Sequence, residues 1–123
     1  MKQPRPVNLN LLTIRFPLPA IVSILHRMSG VFLFLLIPVM LWLLAMSLSS
    51  SGFYVLQQAL GTVWVKLVCW MLLAPFCYHL VAGVRHLLMD AHLGVTLKAS
   101  KLAAQLTFII AALLILLTGI WLW

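Results

Sequence analysis

The sequence has almost no negative charge and few charges of either sign. Its 123 residues include one acidic residue, Asp90, and eight Lys or Arg, so charged residues make up 7% of the chain and hydrophobic residues 65%. A soluble domain of this size normally has about 25% charged residues. The scarcity of charge excludes an ordinary soluble domain and indicates an integral membrane protein.

Cysteine is scarce as well, and the motifs that hold several redox cofactors are missing. The two cysteines, Cys69 and Cys77, lie eight residues apart and so on different sides of a helix, which favours a packing role. No C-x-x-C-H motif is present, which excludes covalent c-type haem. The chain also has no dinucleotide fingerprint and no cysteine array, so neither a dinucleotide-binding site of that kind nor an iron–sulfur cluster is indicated in it.

Long apolar stretches dominate what is present. A bilayer core about 30 Å thick needs about 20 apolar residues per helix. We therefore predict an all-α membrane protein whose single transmembrane domain, residues 20–123, contains three helices over 20–49, 63–89 and 103–123. The cluster of serines and glycine at 49–52 predicts a turn after the first helix.

The basic residues are placed asymmetrically around these helices. The net charge of +7 comes mostly from Lys and Arg that border the start of the first helix and the second connection, whereas the first connection has none. By the positive-inside rule the N-terminus is cytoplasmic and the C-terminus periplasmic, and nucleic-acid binding is not indicated. Residues 1–19 carry four prolines and no signal-peptide pattern, so we expect a cytoplasmic segment and direct insertion into a bacterial inner membrane.

One polar cluster lies on the second predicted helix, in "YHLVAGVRHLLMD", residues 78–90. His79 and His86 are seven residues apart, which puts them on one stripe about 10 Å apart along the axis. Ala82 and Gly83 leave a shallow groove between them, where a haem could lie with its iron on His79 and its propionates near His86 and the arginines. The alternative is that His79 forms a hydrogen bond to a neighbouring helix.

The chain has a single deep histidine, whereas a six-coordinate b-type haem needs two axial ligands. If His79 binds haem, a second chain with its own membrane histidine must supply the other ligand. We therefore expect this chain to pack with a second anchor subunit into a helical bundle.

A second polar cluster, "SILHRMSG", covers residues 23–30 at the inner end of the first helix. Ser23 and Arg27 are four residues apart and share a helix face, with His26 beside them. A hydroxyl donor and a guanidinium suit a quinone, because Arg27 can stabilise the negative charge that develops on its oxygen. The alternatives are an arginine that anchors the helix end to headgroups, and a His26 that faces a haem propionate or a proton path.

Two further polar residues, Asp90 and His92, follow this cluster in the sequence. Asp90 follows Arg85 by five residues and His86 by four, which predicts a local ion pair or a bond that orients the histidine. His92 lies beyond the helix and is expected in a solvated loop.

Together the two motifs, "SILHRMSG" and "YHLVAGVRHLLMD", resemble the cytochrome b membrane-anchor subunit of succinate dehydrogenase over nearly the whole chain. The resemblance implies that His79 is an axial ligand of haem b, with the other axial histidine on a smaller anchor subunit. It also implies that Ser23 and Arg27 belong to the ubiquinone site. The residues expected near the haem propionates, or beside the ring, are His26, Arg27, Gly83 and His86.

The resemblance further implies a complex with a flavoprotein subunit that oxidises succinate and an iron–sulfur subunit that passes the electrons on. Ubiquinone is then reduced where the iron–sulfur subunit meets the anchors. This chain would have no catalytic residue for succinate oxidation. Three alternatives remain open: the anchor of a fumarate reductase, a purely structural anchor without cofactor, and a transporter subunit that uses the buried histidine as a proton relay.

Overall fold

The computed structural model describes residues 15–123, and this part of the chain consists of helices and short connections without a strand. The four helices are α1 (Leu18–Ser47), α2 (Ser50–Leu60), α3 (Val63–Asp90) and α4 (Leu97–Leu122). Three of them, α1, α3 and α4, are long and apolar enough to cross a membrane. The predicted all-α fold with three membrane helices is confirmed. Most of the predicted cytoplasmic segment, residues 1–14, lies outside the described residues, and the orientation of the termini stays a prediction.

Helix α2 was not predicted, because its serines and glycine were read as a turn. In the structure the same residues begin a helix. Ser49 is the N-cap, and its Oγ accepts a hydrogen bond from the backbone N–H of Gly52 at 3.1 Å. Such a cap satisfies one of the N–H groups that a helix start leaves without a partner.

Helix α4 begins six residues earlier than the predicted start at residue 103, because Thr96 caps it. The Oγ1 atom of Thr96 accepts from the N–H of Ala99 at 3.3 Å. Lys98 and Lys101, which the sequence placed in the connection, therefore lie in the first turns of α4.

The helices pack through small residues. Helix α3 contacts both α1 and α4. Val22 of α1, Ala82 of α3 and Ala104 of α4 are fully buried at 0% exposure and form the centre of the contact. Small side chains let helix backbones approach closely in a membrane. The start of α1, the end of α3 and the start of α4 thus meet at one end of the bundle, called here the histidine end.

The opposite end of the bundle, called here the tryptophan end, joins α3 to α4 differently. The indole N–H of Trp70 donates to the backbone carbonyl of Ile115 at 2.7 Å. A Cβ added to Gly119 would lie 3.1 Å from the Trp70 ring, so the glycine allows the indole to approach. Lys66 lies 5.9 Å from the centroid of the Trp123 ring, within the range of a cation–π contact.

The outward faces of the long helices are apolar and exposed. On α1, Phe34 is 68% exposed, Leu35 66% and Trp42 62%. Large contiguous apolar surfaces of this kind indicate contact with lipid or with other protein chains.

Candidate functional site

Three histidines stack face to face at the histidine end. His26 of α1 lies between His79 and His86 of α3. Its ring centroid is 4.2 Å from that of His79 and 4.7 Å from that of His86, and the ring planes differ by 16° and 18°. All three rings are partly buried. The structure therefore brings together the two clusters that the sequence showed as separate motifs.

The hydrogen bonds of His79 fix which of its nitrogens can bind a metal. Its Nδ1 lies 3.1 Å from the carbonyl oxygen of His26 and 3.0 Å from the Oγ of Ser29. A carbonyl oxygen only accepts, so Nδ1 must carry the hydrogen. The Ser29 hydroxyl donates its own hydrogen to the same carbonyl at 2.8 Å, which leaves its oxygen free to accept from Nδ1. In the neutral imidazole, Nε2 then holds the lone pair that a metal ion needs.

Gly30 lets His79 come this close to α1. A Cβ at Gly30 would lie 3.0 Å from Cε1 of His79, closer than ordinary van der Waals contact allows. Sequence reasoning missed Gly30 and Ser29, because their roles depend on how α1 and α3 are aligned. The only signal was their place in "HRMSG", one turn after His26.

Ser23 is held by His86. The Nδ1 of His86 lies 2.7 Å from the carbonyl oxygen of Ala82, so this nitrogen carries a hydrogen. Its Nε2 lies 2.9 Å from the Oγ of Ser23. When His86 is neutral, Nε2 can only accept, and the Ser23 hydroxyl donates to it. The sequence predicted Ser23 as a hydroxyl donor to a quinone, and in the structure this hydroxyl has His86 as a partner.

The groove expected between His79 and His86 is occupied in this chain by the His26 ring. Nε2 of His26 lies 3.4 Å from where a Cβ on Gly83 would be. Gly83 provides room beside the two histidines, and the ring that uses this room here is that of His26 on α1. The prediction considered α3 alone and did not include how closely α1 packs on it.

The charged residues near the site differ in exposure and in their bonding partners. Arg27 is exposed on α1, one turn after Ser23. Arg85 is only 5% exposed; its Nη2 donates to the Oγ of Ser100 at 3.2 Å, and its Nε and Nη1 have no partner among residues 15–123. Asp90 is exposed. The predicted bond from Asp90 to Arg85 or His86 is wrong, because these two side chains bond to Ser100 and Ala82 instead.

Two further observations concern metal binding. In the described part of the chain, no group of three or more His, Cys, Asp or Glu side chains is placed to hold a metal ion. The three histidine rings stack face to face and do not converge on one point. His92 is exposed in the loop after α3, as predicted. His79 keeps Nε2 as a nitrogen that could bind a metal ion, because its Nδ1 donates to the carbonyl of His26.

The class that fold and site define is a helical membrane protein with partly buried, stacked histidines at one end of the bundle. A family model described as "Succinate dehydrogenase/Fumarate reductase transmembrane subunit" matches residues 1–118. The chain therefore belongs to this family, as a cytochrome b anchor subunit of succinate dehydrogenase and a multi-pass protein of the bacterial inner membrane.

Individual relatives agree with the family match. The chain is 41% identical over 125 residues to the succinate dehydrogenase cytochrome b556 subunit of Coxiella burnetii, with all of both chains covered. It is 31% identical over 113 residues to the subunit of the same name from Rickettsia prowazekii, covering 92% of this chain and 89% of the relative. For the Paracoccus denitrificans subunit the identity is 33% over 106 residues, covering 82% and 78%.

Proposed function

We propose that this chain is the large anchor of a succinate:ubiquinone oxidoreductase, in which His79 is an axial ligand of haem b and Ser23 and Arg27 bind ubiquinone. The observation that carries the haem assignment is the donation from Nδ1 of His79 to the carbonyl of His26. Metal-binding histidines almost always donate their second ring nitrogen in this way, which orients the ring and leaves the other nitrogen as ligand.

The residues around His79 fit a haem. Gly30 and Gly83 keep Cβ atoms away from the imidazoles, and Ser29 supports the orientation of the ligand ring. His26, Arg27 and His86 are the candidate partners of the propionates, since cationic and N–H donor groups recognise carboxylates. A haem bound by these residues would supply a one-electron redox centre. Because His26 fills the space between His79 and His86 in the chain alone, its ring has to move when haem binds there.

For the quinone, Arg27 and Ser23 have complementary tasks. The guanidinium of Arg27 is exposed and permanently charged, so it stabilises negative charge on a quinone oxygen but supplies no proton. Ser23 presents a hydroxyl one helical turn away on the same helix. Binding and polarising the quinone are the tasks of this chain, while the electrons come from a partner.

The proposed partners follow from what the chain lacks. A second small anchor supplies the other axial histidine, an iron–sulfur subunit delivers electrons, and a flavoprotein subunit oxidises succinate. The exposed apolar faces of α1, α3 and α4 offer surface for the second anchor and for lipid. The anchor of a fumarate reductase is the second candidate, because the description of the matching family names both enzymes.

The test is an absorption spectrum of the purified complex in its reduced state. We expect His79→Ala to lose or shift the bands of the b-type haem, because it removes the ligand nitrogen. His92→Asn is the matched control, since His92 is an exposed loop histidine with φ of 62°, a backbone conformation that Asn tolerates. An unchanged spectrum in His79→Ala would reject the ligand assignment and favour a structural anchor.

A further inference from the structure

The hydrogen bond between Ser23 of α1 and His86 of α3 links the proposed quinone site to a titratable group. Oγ of Ser23 and Nε2 of His86 are 2.9 Å apart. We propose that His86 is the proton donor that recharges Ser23 during quinone reduction. This inference rests on the proposed quinone site at Ser23 and Arg27.

The charge of His86 decides where the Ser23 hydrogen can go. Its Nδ1 donates to the carbonyl of Ala82 at 2.7 Å in either charge state, so only Nε2 changes role. With neutral His86, the Ser23 hydroxyl donates to Nε2 and has no hydrogen left for a quinone. With protonated His86, Nε2–H donates to the Ser23 oxygen, and the hydroxyl hydrogen is free to reach a quinone oxygen.

In the proposed proton transfer, each bond broken at Ser23 or His86 is matched by a bond formed. As negative charge develops on the quinone oxygen, the O–H bond of Ser23 breaks and an O–H bond forms on the quinone. The N–H bond at Nε2 of His86 breaks, and its proton restores the Ser23 hydroxyl. Ser23 is unchanged, His86 becomes neutral, and one of the two protons of the quinol has been supplied. The electrons come from the one-electron donor of the complex, the proposed iron–sulfur partner.

Among the side chains around Ser23 and His86, we assign the proton donation to His86. Arg27 cannot give up a proton. From α1, the His26 ring stacks on His86 at 4.7 Å and also stacks on His79. The imidazole that shares a hydrogen bond with Ser23 is that of His86. From α4, Ser100 takes the bond of Arg85 and not that of His86.

His86 can also be recharged from water. Helix α3 ends at Asp90, one turn beyond His86, and Asp90 is exposed. The imidazole is therefore close to the aqueous surface at the histidine end.

The experiment measures quinone reduction by the whole complex in membranes as a function of pH, for His86→Gln, Ser23→Ala, both together, and His92→Asn as control. We expect His86→Gln to lower kcat at least about tenfold with KM for quinone nearly unchanged. We expect the pH profile of kcat to differ between the wild type and His86→Gln, because only the wild type can supply this proton. Since the two residues act as one unit, the double variant is no slower than the slower single one.

Succinate oxidation with a soluble artificial acceptor, measured on the same membranes, reports assembly. If His86→Gln does not assemble, the pair Ser23→Thr and Ser23→Ala carries the test. Ser23→Thr keeps a hydroxyl and should keep the wild-type pH profile, whereas Ser23→Ala should lose it.

Some outcomes overturn the relay and leave the quinone site intact. Wild-type kcat and pH profile in His86→Gln would do so, as would a raised KM with the profile unchanged, provided that Arg27→Leu still loses quinone reduction. If Arg27→Leu and Ser23→Ala both reduce quinone at the wild-type rate, the proposed quinone site itself fails.

Discussion

The histidine end and the tryptophan end join helices by different means, α1 to α3 at the first and α3 to α4 at the second. At the tryptophan end, Trp70 donates to a backbone carbonyl of α4 and packs on Gly119. At the histidine end, imidazoles and hydroxyls of α1 and α3 bond to one another. Ionisable groups within a membrane are costly, and the Trp70 bond to Ile115 shows that two helices of this chain can be joined by a neutral side chain. The comparison supports the proposal that the histidine end has a chemical role in addition to packing.

The largest contrast is expected from one substitution made at both ends. Gly30→Val puts a branched side chain where even a Cβ would be 3.0 Å from Cε1 of His79, so we expect haem content to fall roughly tenfold or more. Gly119→Val meets Trp70 at a similar distance, 3.1 Å, and should lower thermal stability while the haem spectrum is kept. Haem content and thermal unfolding are measured on the purified complex of each variant. Equal haem loss in the two variants would contradict the claim that haem binding depends on the histidine end and not on the tryptophan end.

A smaller effect is expected at Ser29. Ser29→Ala removes one of two acceptors for the His79 Nδ1–H and keeps the other, the His26 carbonyl, so we expect haem affinity to fall about tenfold. The control is Ser47→Ala on the same helix, because Ser47 also donates to the carbonyl three residues earlier, at 2.7 Å. Titration of the apo-complex with haem measures the difference. If both serine variants bind haem equally well, Ser29 does not orient the ligand.

The smallest effect is expected at the tryptophan end. Trp70→Phe loses the hydrogen bond to Ile115, and we expect the free energy of unfolding to fall by about 1 kcal/mol. Trp64→Phe is the control, because Trp64 is 79% exposed. Neither variant should alter the haem spectrum or quinone reduction. A changed spectrum in Trp70→Phe would show that the two ends are coupled.

Hydropathy was enough to predict the three membrane helices, because each needs only a long apolar run. Helix α2 and the start of α4 were missed, because serine, glycine and lysine are read as loop residues when capping is ignored. Ser49 and Thr96 each begin a helix by accepting a backbone N–H. Such caps depend on backbone geometry that hydropathy does not contain.

The sequence named single candidate residues of the site but could not give their arrangement. Helical spacing predicts that Ser23 and Arg27, four residues apart, share a helix face. It could not reveal that His26 stacks between His79 and His86, since that requires the alignment of α1 against α3. The bond expected at Asp90 failed for the same reason, because Arg85 reaches Ser100 on another helix.

The central claim, that Nε2 of His79 is the nitrogen that binds haem iron, is tested most directly by replacing the side chain with a free ligand. His79→Gly in the intact complex removes the imidazole and leaves space for a small molecule. We predict that the b-type bands of the reduced complex are lost or shifted and that added imidazole restores them. Wild-type bands in His79→Gly without imidazole would contradict the claim.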